Sequence, residues 1–275
     1  MTITRRTLGR TGVAVTALGL GGEGILRTHG RLREAQRVIQ AALDSGIRYF
    51  ESARAYADSE AYLGQGLKGY RHQVFLTSKS HGRTRAEAEA QLHTTLTNLQ
   101  TDHLDLWQVH DLRTLAEVEA IGAPGGALEA FYRAKEQGKT RFLGVTGHHD
   151  PAILRLAIET YDFDTVLLPI NPAEPHHQSF LPLAREAMDR GLGVIGMKVL
   201  CRGALPQLYD NALPYFIHYA LSQPVDVIVV GADNVQQVQE LAQAAAAFEP
   251  IPIHVQHVLE RNLEPYARRL MYYKP

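Results

Sequence analysis

Residues 74–110 read VFLTSKSHGRTRAEAEAQLHTTLTNLQTDHLDLWQVH, and they combine two apolar runs with a helical segment between them. The runs VFLTS (74–78) and LDLWQVH (104–110) are too continuously apolar for strands with one solvent-facing side, so we expect both to be buried on both faces. Thr84 is a typical N-cap for the helix predicted over 84–99. A buried strand, a helix and a second buried strand predict a parallel βαβ unit.

The same alternation continues along most of the chain. Further apolar runs lie at 15–21, 49–52, 142–147, 165–171, 193–200 and 226–231. Further amphipathic helices are predicted at 32–46, 178–191 and 235–248. The first of these places Ala35, Val38, Ile39 and Ala42 on one stripe, which we expect to face the core.

Eight predicted strands alternate with helices at intervals of about 30 residues, which favours a (β/α)8 TIM barrel. We expect residues 1–275 to form a single domain of this kind. A doubly wound open sheet is the alternative, because it shows the same alternation. The glycines of LGLGGEG (18–24) match the dinucleotide fingerprint of that fold poorly.

Composition limits the classes of function. Of the 275 residues, 45% are hydrophobic and 21% are charged, and the formal net charge is −1. This balance gives no electrostatic reason to expect a nucleic-acid or membrane partner. Arg5 and Arg6 are not followed by the apolar stretch of an export signal. The single cysteine, Cys201, cannot form an internal disulfide, so we expect a cytoplasmic protein in which Cys201 is inert packing.

Candidate catalytic residues follow from the fold. In a TIM barrel the chemistry lies at the carboxyl ends of the strands. Those ends carry Glu51, Lys79 and His110, and Tyr56 lies on the loop beyond Glu51. We therefore expect these four side chains to share one mouth of the barrel and to form a proton-transfer site. Glu60, slightly further along, is interpreted as a helix residue only.

The chain resembles the aldo-keto reductase superfamily in several separate segments. They are YFESARAYADSEAYLG (49–64), VFLTSKS (74–80), DHLDLWQVHD (102–111), GKTRFLGVTGHH (138–149), GVIGMKVLCRGAL (193–205) and VIVVGADNVQQVQE (227–240). They occur in the order of the family and extend over most of the chain. The resemblance implies a (β/α)8 barrel, hydride transfer from a nicotinamide cofactor, and a small aldehyde or ketone as the substrate.

The resemblance assigns the catalytic tetrad to Glu51, Tyr56, Lys79 and His110, with Glu51 in place of the usual aspartate. Reduction of a carbonyl places negative charge on its oxygen, so a proton donor is needed, and this role is assigned to Tyr56. Lys79 is expected to lower the pKa of the phenol. Glu51 is expected to hold the lysine, and His110 to orient the carbonyl. The extra methylene of Glu51 is expected to keep the ion pair but to lower efficiency.

The resemblance also implies a nicotinamide site, with NADP(H) as the leading cofactor and NAD(H) as the alternative. The residues that it assigns are Thr146, Gly147, Met197, Lys198, Gly203, Gly231, Asn234, Gln237 and Glu240. The 2′-phosphate is expected at the start of the predicted helix that follows Asn234, where backbone amides favour an anion. Asp233 would repel that phosphate and accept a hydrogen bond from a ribose hydroxyl instead. We therefore expect weak discrimination against NADH.

Two other classes of function stay open. A metal-dependent hydrolase or isomerase would use imidazole and carboxylate ligands. Its candidate ligands are Glu51, His110, His148, His149, Asp150, Glu174, His176 and His177. Their spacing matches no diagnostic metal motif, and adjacent side chains such as His148 and His149 are expected to point in different directions, so no metal is predicted. The glutamate at position 51 leaves open a weakly active nucleotide-binding subunit.

Overall fold

The computed structural model describes residues 2–210 and 212–274, and its centre is a closed barrel of eight parallel strands. Two short strands precede the barrel, β1 (Arg5–Thr7) and β2 (Ala14–Thr16). The barrel strands are β3 (Leu18–Gly24), β4 (Tyr49–Glu51), β5 (Phe75–Ser80), β6 (Leu104–Val109), β7 (Thr140–Thr146), β8 (Thr165–Pro169), β9 (Gly193–Met197) and β10 (Val227–Ala232). Each strand pairs with the next, and β10 pairs with β3. The predicted TIM barrel is confirmed, and the open sheet is wrong because no barrel strand is left at an edge.

The helices alternate with the barrel strands and cover their outer faces. They are α1 (Leu32–Asp44), α2 (Ser59–Gly66), α3 (Arg85–Leu99), α4 (Leu115–Gly122), α5 (Ala127–Glu136), α6 (Pro151–Thr160), α7 (Leu181–Asp189), α8 (Leu213–Leu221), α9 (Val235–Ala246), α10 (Ile253–Leu263) and α11 (Ala267–Leu270). Short 3-10 helices occur at Gly9–Thr11, Ile25–Arg27, Arg71–Gln73, Glu174–His176, Leu205–Gln207 and Glu264–Tyr266. Among the residues described, no helix has the length and apolar character that a membrane crossing requires.

Local sequence signals explain several helix boundaries. Thr84 caps α3 in a capping box with Glu87, as the sequence predicted for Thr84. Asn234 Oδ1 accepts a hydrogen bond from Gln237 N at 3.0 Å and so caps α9. The helix predicted over 178–191 begins only at Leu181, because the backbone of Gln178 has a φ of +44° and cannot continue a helix.

The first predicted strand is divided in the structure. The pattern at 15–21 predicted one strand, but β2 ends at Thr16 and β3 begins at Leu18. β2 instead forms an antiparallel hairpin with β1. The Thr16 hydroxyl donates to Leu18 O at 2.9 Å and accepts from Arg48 N at 3.0 Å. A side chain therefore satisfies the backbone groups where the chain turns from the hairpin into the barrel.

The apolar core has two layers around the barrel sheet, and a third cluster packs the carboxyl-terminal tail against the loop after β9. The inner layer fills the barrel and consists of Leu8, Val15, Tyr49, Phe75, Leu106, Leu167, Ile195, Val227 and Val229. Leu8 and Val15 come from the hairpin region, so the hairpin closes the amino-terminal end of the barrel. In the outer layer Trp107 stacks on Phe131 of α5 with ring centroids 3.6 Å apart, which confirms Trp107 as a core residue. The opposite, carboxyl-terminal end of the barrel is left for a site.

Candidate active site

The four side chains predicted from the strand ends meet at one mouth of the barrel. Glu51 ends β4, and its Oε1 lies 2.6 Å from Lys79 Nζ on the adjacent strand β5. Lys79 Nζ also donates to Ser52 O at 2.9 Å and lies 4.8 Å from the centre of the Tyr56 ring. The His110 ring meets the Tyr56 ring edge to face, with centroids 5.7 Å apart. The longer Glu51 side chain has kept the ion pair.

The loop that carries Tyr56 is tied to the strand beside it. Arg54 N donates to Lys79 O at 3.0 Å, so the hydrogen-bonding pattern continues beyond the end of β4. Ser59 N donates to Tyr56 O at 2.8 Å at the start of α2. The Arg27 guanidinium lies 4.9 Å from the centre of the Tyr56 ring. Tyr56 is therefore fixed between a strand end and a helix start.

Burial reverses the predicted pKa shift of Tyr56. Its pKa is raised well above the usual value, first because the phenol is buried and then because Glu51 and Glu23 are negative. Burial also lowers the pKa of Lys79, against the attraction of Glu51. The pKa of His110 is well below its usual value because of burial and the Lys79 charge. The net lowering of the phenol pKa that was expected from Lys79 is therefore wrong, because burial and the two carboxylates outweigh it.

A cavity of about 1060 Å³ reaches from Glu51 and Tyr56 to α9 and follows this helix as far as its C-cap, Ala247. The predicted cofactor residues on its wall are Met197, Lys198, Gly203, Gly231, Gln237 and Glu240. Gly231 also has a structural role, because a Cβ there would come within 2.8 Å of the Glu23 carbonyl carbon. The cavity thus joins Glu51 and Tyr56 of the tetrad to most of the predicted nicotinamide site.

Three predicted cofactor residues lie outside the cavity wall. Thr146 Oγ1 accepts a hydrogen bond from Asp111 N at 2.8 Å, so the side chain is already engaged. A Cβ at Gly147 would lie 3.1 Å from Leu112 O. Asn234 is occupied as the cap of α9. The assignment of these three residues to the cofactor stays a prediction.

Two charged residues of the wall were not found from the sequence. Glu23 lies on β3 and pairs with Arg27 at 2.9 Å. Glu23 lies within the glycine-rich stretch 18–24, in which the sequence predicted no functional carboxylate. Arg202 lies on the wall with its guanidinium 4.7 Å from the centre of the Tyr272 ring. Tyr272 comes from the carboxyl-terminal tail, and no local sequence pattern indicates that it lies against Arg202.

Four of the eight candidate metal ligands are engaged elsewhere. Glu174 is ion-paired with Lys274, and burial raises the pKa of Glu174 to about 7. His176 Nε2 lies 2.7 Å from the carbonyl oxygen of Glu260. Asp150 Oδ1 accepts from the backbone at 2.7 Å and caps α6. These residues and the Glu51 ion pair do not form a common metal site.

His148 and His149 do lie together, contrary to the expectation that adjacent side chains diverge. Their ring centroids are 4.9 Å apart, and the planes are tilted by 31°. Asp111, which the sequence did not indicate, is the third member of this group. Burial lowers the pKa of His148 to about 4. Cys201 is buried as predicted, and burial raises its pKa to about 12.

Comparisons with known proteins agree with this fold and this cavity. Residues 17–217 match the model of the Aldo/keto reductase family. The chain is 26% identical to L-galactose dehydrogenase of Arabidopsis thaliana, and the match covers 94% of each protein. These findings define an oxidoreductase. The chain belongs to the aldo/keto reductase family.

Solved structures show the same fold. An aldo-keto reductase from Bacillus halodurans matches with a TM-score of 0.76 at 21% identity, over 94% of this chain and 96% of that one. An aldo-keto reductase from Klebsiella pneumoniae, solved in complex with NADPH, matches with a TM-score of 0.76 at 20% identity, over 95% of this chain and 96% of that one. The barrel is thus shared at low sequence identity.

Proposed function

We propose that this protein reduces a small aldehyde or ketone with NADP(H), using Tyr56 as the general acid. The observation that carries the proposal is the buried Glu51–Lys79 pair beside the Tyr56 ring, at one end of a cavity of about 1060 Å³. That volume lies at the upper end of the range for small-molecule sites, about 300–1000 Å³. The NADPH complex of the Klebsiella pneumoniae relative supports the choice of cofactor.

The cavity wall fits a dinucleotide. Lys198 and Arg202 are two cations that would hold a diphosphate by charge-assisted hydrogen bonds. Gly203 and Gly231 expose backbone to which a ligand would come close. When bound, the nicotinamide supplies a hydride to the carbonyl carbon. The wall would then hold the nicotinamide end of the cofactor beside Tyr56.

The tetrad would transfer one proton from the Tyr56 hydroxyl to the carbonyl oxygen of the substrate. An alkoxide that forms on the carbonyl oxygen is a much stronger base than a phenolate, so the Tyr56 hydroxyl donates to it although burial raises the pKa of the phenol. His110, neutral at pH 7, donates a ring N–H to the same oxygen and orients it. Lys79, held by Glu51, stabilises the phenolate that remains.

The other two classes of function have less support. A metal-dependent hydrolase would need Glu51, Glu174 and His176 at one site, and each of these is engaged elsewhere. The glutamate at position 51 leaves room for a weakly active nucleotide-binding subunit. The distance of 2.6 Å between Glu51 and Lys79 gives no structural reason for lost activity.

A stoichiometric assay tests the proposed function. With 4-nitrobenzaldehyde and NADPH, the purified protein is expected to form one 4-nitrobenzyl alcohol for each nucleotide oxidised, measured by chromatography and by absorbance. Protein treated with a chelator is expected to keep this activity, because no step uses a metal. Nucleotide oxidation without alcohol, or activity that disappears on chelation, would refute the proposal.

The start of α9 predicts weak selection for NADPH over NADH. Asp233 and Glu240 place negative charge on the cavity wall there. Two backbone amides near this helix end already donate to side chains, Asp233 N to Gln237 Oε1 at 2.7 Å and Gln237 N to Asn234 Oδ1 at 3.0 Å. These two amides are therefore not available to a 2′-phosphate. We expect the Kd values of the two nucleotides to differ by less than about 10²-fold, equivalent to about 2.7 kcal/mol.

Titration of both nucleotides by quenching of protein fluorescence measures this ratio. Asp233→Asn is expected to shift the ratio towards NADPH, because it removes a charge that repels the phosphate. Glu249→Gln is the matched control, since Glu249 is an exposed carboxylate beyond the opposite end of the same helix. Strong selection of NADPH by the wild type, or equal shifts in both variants, would contradict this account of the pocket.

A further inference from the structure

A group of metal-type ligands lies on two neighbouring loops of the barrel mouth. Asp111 follows β6, and His148 and His149 follow β7, which pairs with β6. One donor atom from each residue can be chosen so that all three lie within 4.8 Å of one another. Two imidazoles and one carboxylate form a set that transition metals accept readily. The reductase chemistry proposed above uses none of these three side chains.

Two donor atoms of this group lack the partners that burial normally requires. Asp111 Oδ1 and His148 Nδ1 are buried, and neither has a hydrogen-bond partner within 2–210 and 212–274. Only five buried side-chain atoms of the described residues are in this condition, and two of them belong to one group of three residues. Buried polar atoms are satisfied in most proteins, so the free carboxylate oxygen needs an explanation. A cation held between Asp111 Oδ1 and His148 Nε2 would supply the partner that this oxygen lacks.

The geometry of the pair suits coordination. His148 Nε2 lies 3.2 Å from Asp111 Oδ1, but not in the orientation of a hydrogen bond. Two ligands on a tetrahedral ion with bonds of about 2.0 Å are about 3.3 Å apart, which is almost the same separation. The ring nitrogen of His149 must move further than the other two ligand atoms to reach such an ion. Its side chain is only half-buried and is therefore free to adjust. A small rotation of this ring would complete three ligands.

The surroundings orient the ligands. Arg113 binds the other oxygen of the carboxylate, with Nη2 2.6 Å and Nε 2.7 Å from Asp111 Oδ2. This leaves Oδ1 as the free oxygen and fixes its direction, as partners of metal ligands commonly do. The Tyr273 ring meets the His148 ring edge to face at 5.9 Å and limits its rotation. The Arg113 charge also makes the site less attractive to a cation, so we expect moderate affinity.

We propose that Asp111, His148 and His149 bind one divalent transition-metal ion of the zinc type. Imidazole ligands favour such ions over magnesium or calcium. The ion would bridge the loops after β6 and β7. This site goes beyond the reductase function and does not depend on it. The sequence predicted no metal, because it could not show that the two adjacent rings lie together.

Titration of the metal-free, full-length protein with Zn²⁺ by calorimetry tests the proposal, with Co²⁺ absorption as a second readout. We expect one equivalent to bind, and His149→Ala and Asp111→Asn each to weaken binding by about tenfold or more. The matched control is His103→Ala. It also removes an imidazole from a histidine–aspartate pair, with Asp102 at 2.7 Å, but no second imidazole joins that pair among the residues that the structure describes. This variant is expected to bind Zn²⁺ like the wild type.

The outcomes of this titration test the metal site independently of the reductase function. Absence of saturable binding, or equal binding by the His149→Ala variant and the wild type, would overturn the metal site. A loss in His103→Ala as large as that in His149→Ala would assign the binding to surface histidines and would also overturn it. The titration contains neither nucleotide nor carbonyl compound. Its result therefore stands whether or not the protein reduces 4-nitrobenzaldehyde, and an inactive reductase would leave the metal proposal intact.

Discussion

Replacement of Tyr56 by phenylalanine is expected to lower kcat for reduction of 4-nitrobenzaldehyde by about 10²- to 10⁴-fold, the usual contribution of a general acid. The ring and its contacts with Lys79 and His110 are retained. Only the hydroxyl that donates the proton is removed. Because the ring still forms part of the cavity wall, the Kd for NADPH is expected to change little. Steady-state kinetics and fluorescence titration measure the two effects separately.

A nearby tyrosine provides the control. Tyr62 on α2 is also buried, but its hydroxyl accepts from Arg31 N at 2.8 Å and donates to Asp58 at 3.3 Å. Tyr62→Phe therefore removes the same group from the same region without touching the proposed reaction. It is expected to keep nearly wild-type kcat. If the Tyr56→Phe variant turned over at the rate of Tyr62→Phe, the general acid would have to be another group.

The approximate positions of the tetrad could be predicted because they depend on the fold. Glu51, Lys79 and His110 lie where apolar runs end, and parallel strands in a closed barrel place those ends at one mouth. Repeated patterns along the whole chain indicated the barrel, so small errors in single strands did not matter. The division of the first strand at Thr16 is one such error.

The electrostatics of the site could not be predicted in the same way. The sequence shows that a lysine is near a tyrosine, and a lysine alone would lower the pKa of the phenol. The actual direction depends on how deeply Tyr56 is buried and on Glu23, which lies far away in the chain. The positions of Asp111, beside His148, and of Tyr272, over Arg202, likewise follow from loop and tail conformations. Neither has a periodic signal in the sequence.

Glu60 has a structural role that the sequence did not indicate. It was interpreted as a helix residue, which is the ordinary role of a glutamate in the first turn of a helix. In the structure its side chain is only 1% exposed. Ser78 Oγ and Thr95 Oγ1 each donate to Glu60 Oε1 at 2.7 Å, and Arg54 pairs with Oε2. One carboxylate thus joins α2, β5 and α3, and through Arg54 it also holds the loop of Tyr56.

Replacement of Glu60 by alanine is therefore expected to lower the free energy of unfolding by about 3–5 kcal/mol, the usual cost of breaking a buried ion pair. The removed carboxylate would leave the two hydroxyls and the Arg54 guanidinium without their acceptor. Denaturation in urea, followed by circular dichroism, measures the change as a lower midpoint at an unchanged slope. The midpoint of Glu60→Gln is expected to lie between those of the wild type and of Glu60→Ala, because the amide oxygen of the glutamine still accepts from the two hydroxyls.

Glu129→Ala is the matched control for this prediction. Glu129 is also a helical glutamate paired with an arginine, Arg85 at 3.2 Å, but both side chains are largely exposed to water. Exposed ion pairs contribute little to stability, so its midpoint is expected to stay close to that of the wild type. Equal midpoints for Glu60→Ala and Glu129→Ala would mean that the network around Glu60 adds nothing to the fold. A lower midpoint for Glu60→Ala alone would show that the stability comes from burial of the carboxylate, because both glutamates have an arginine partner.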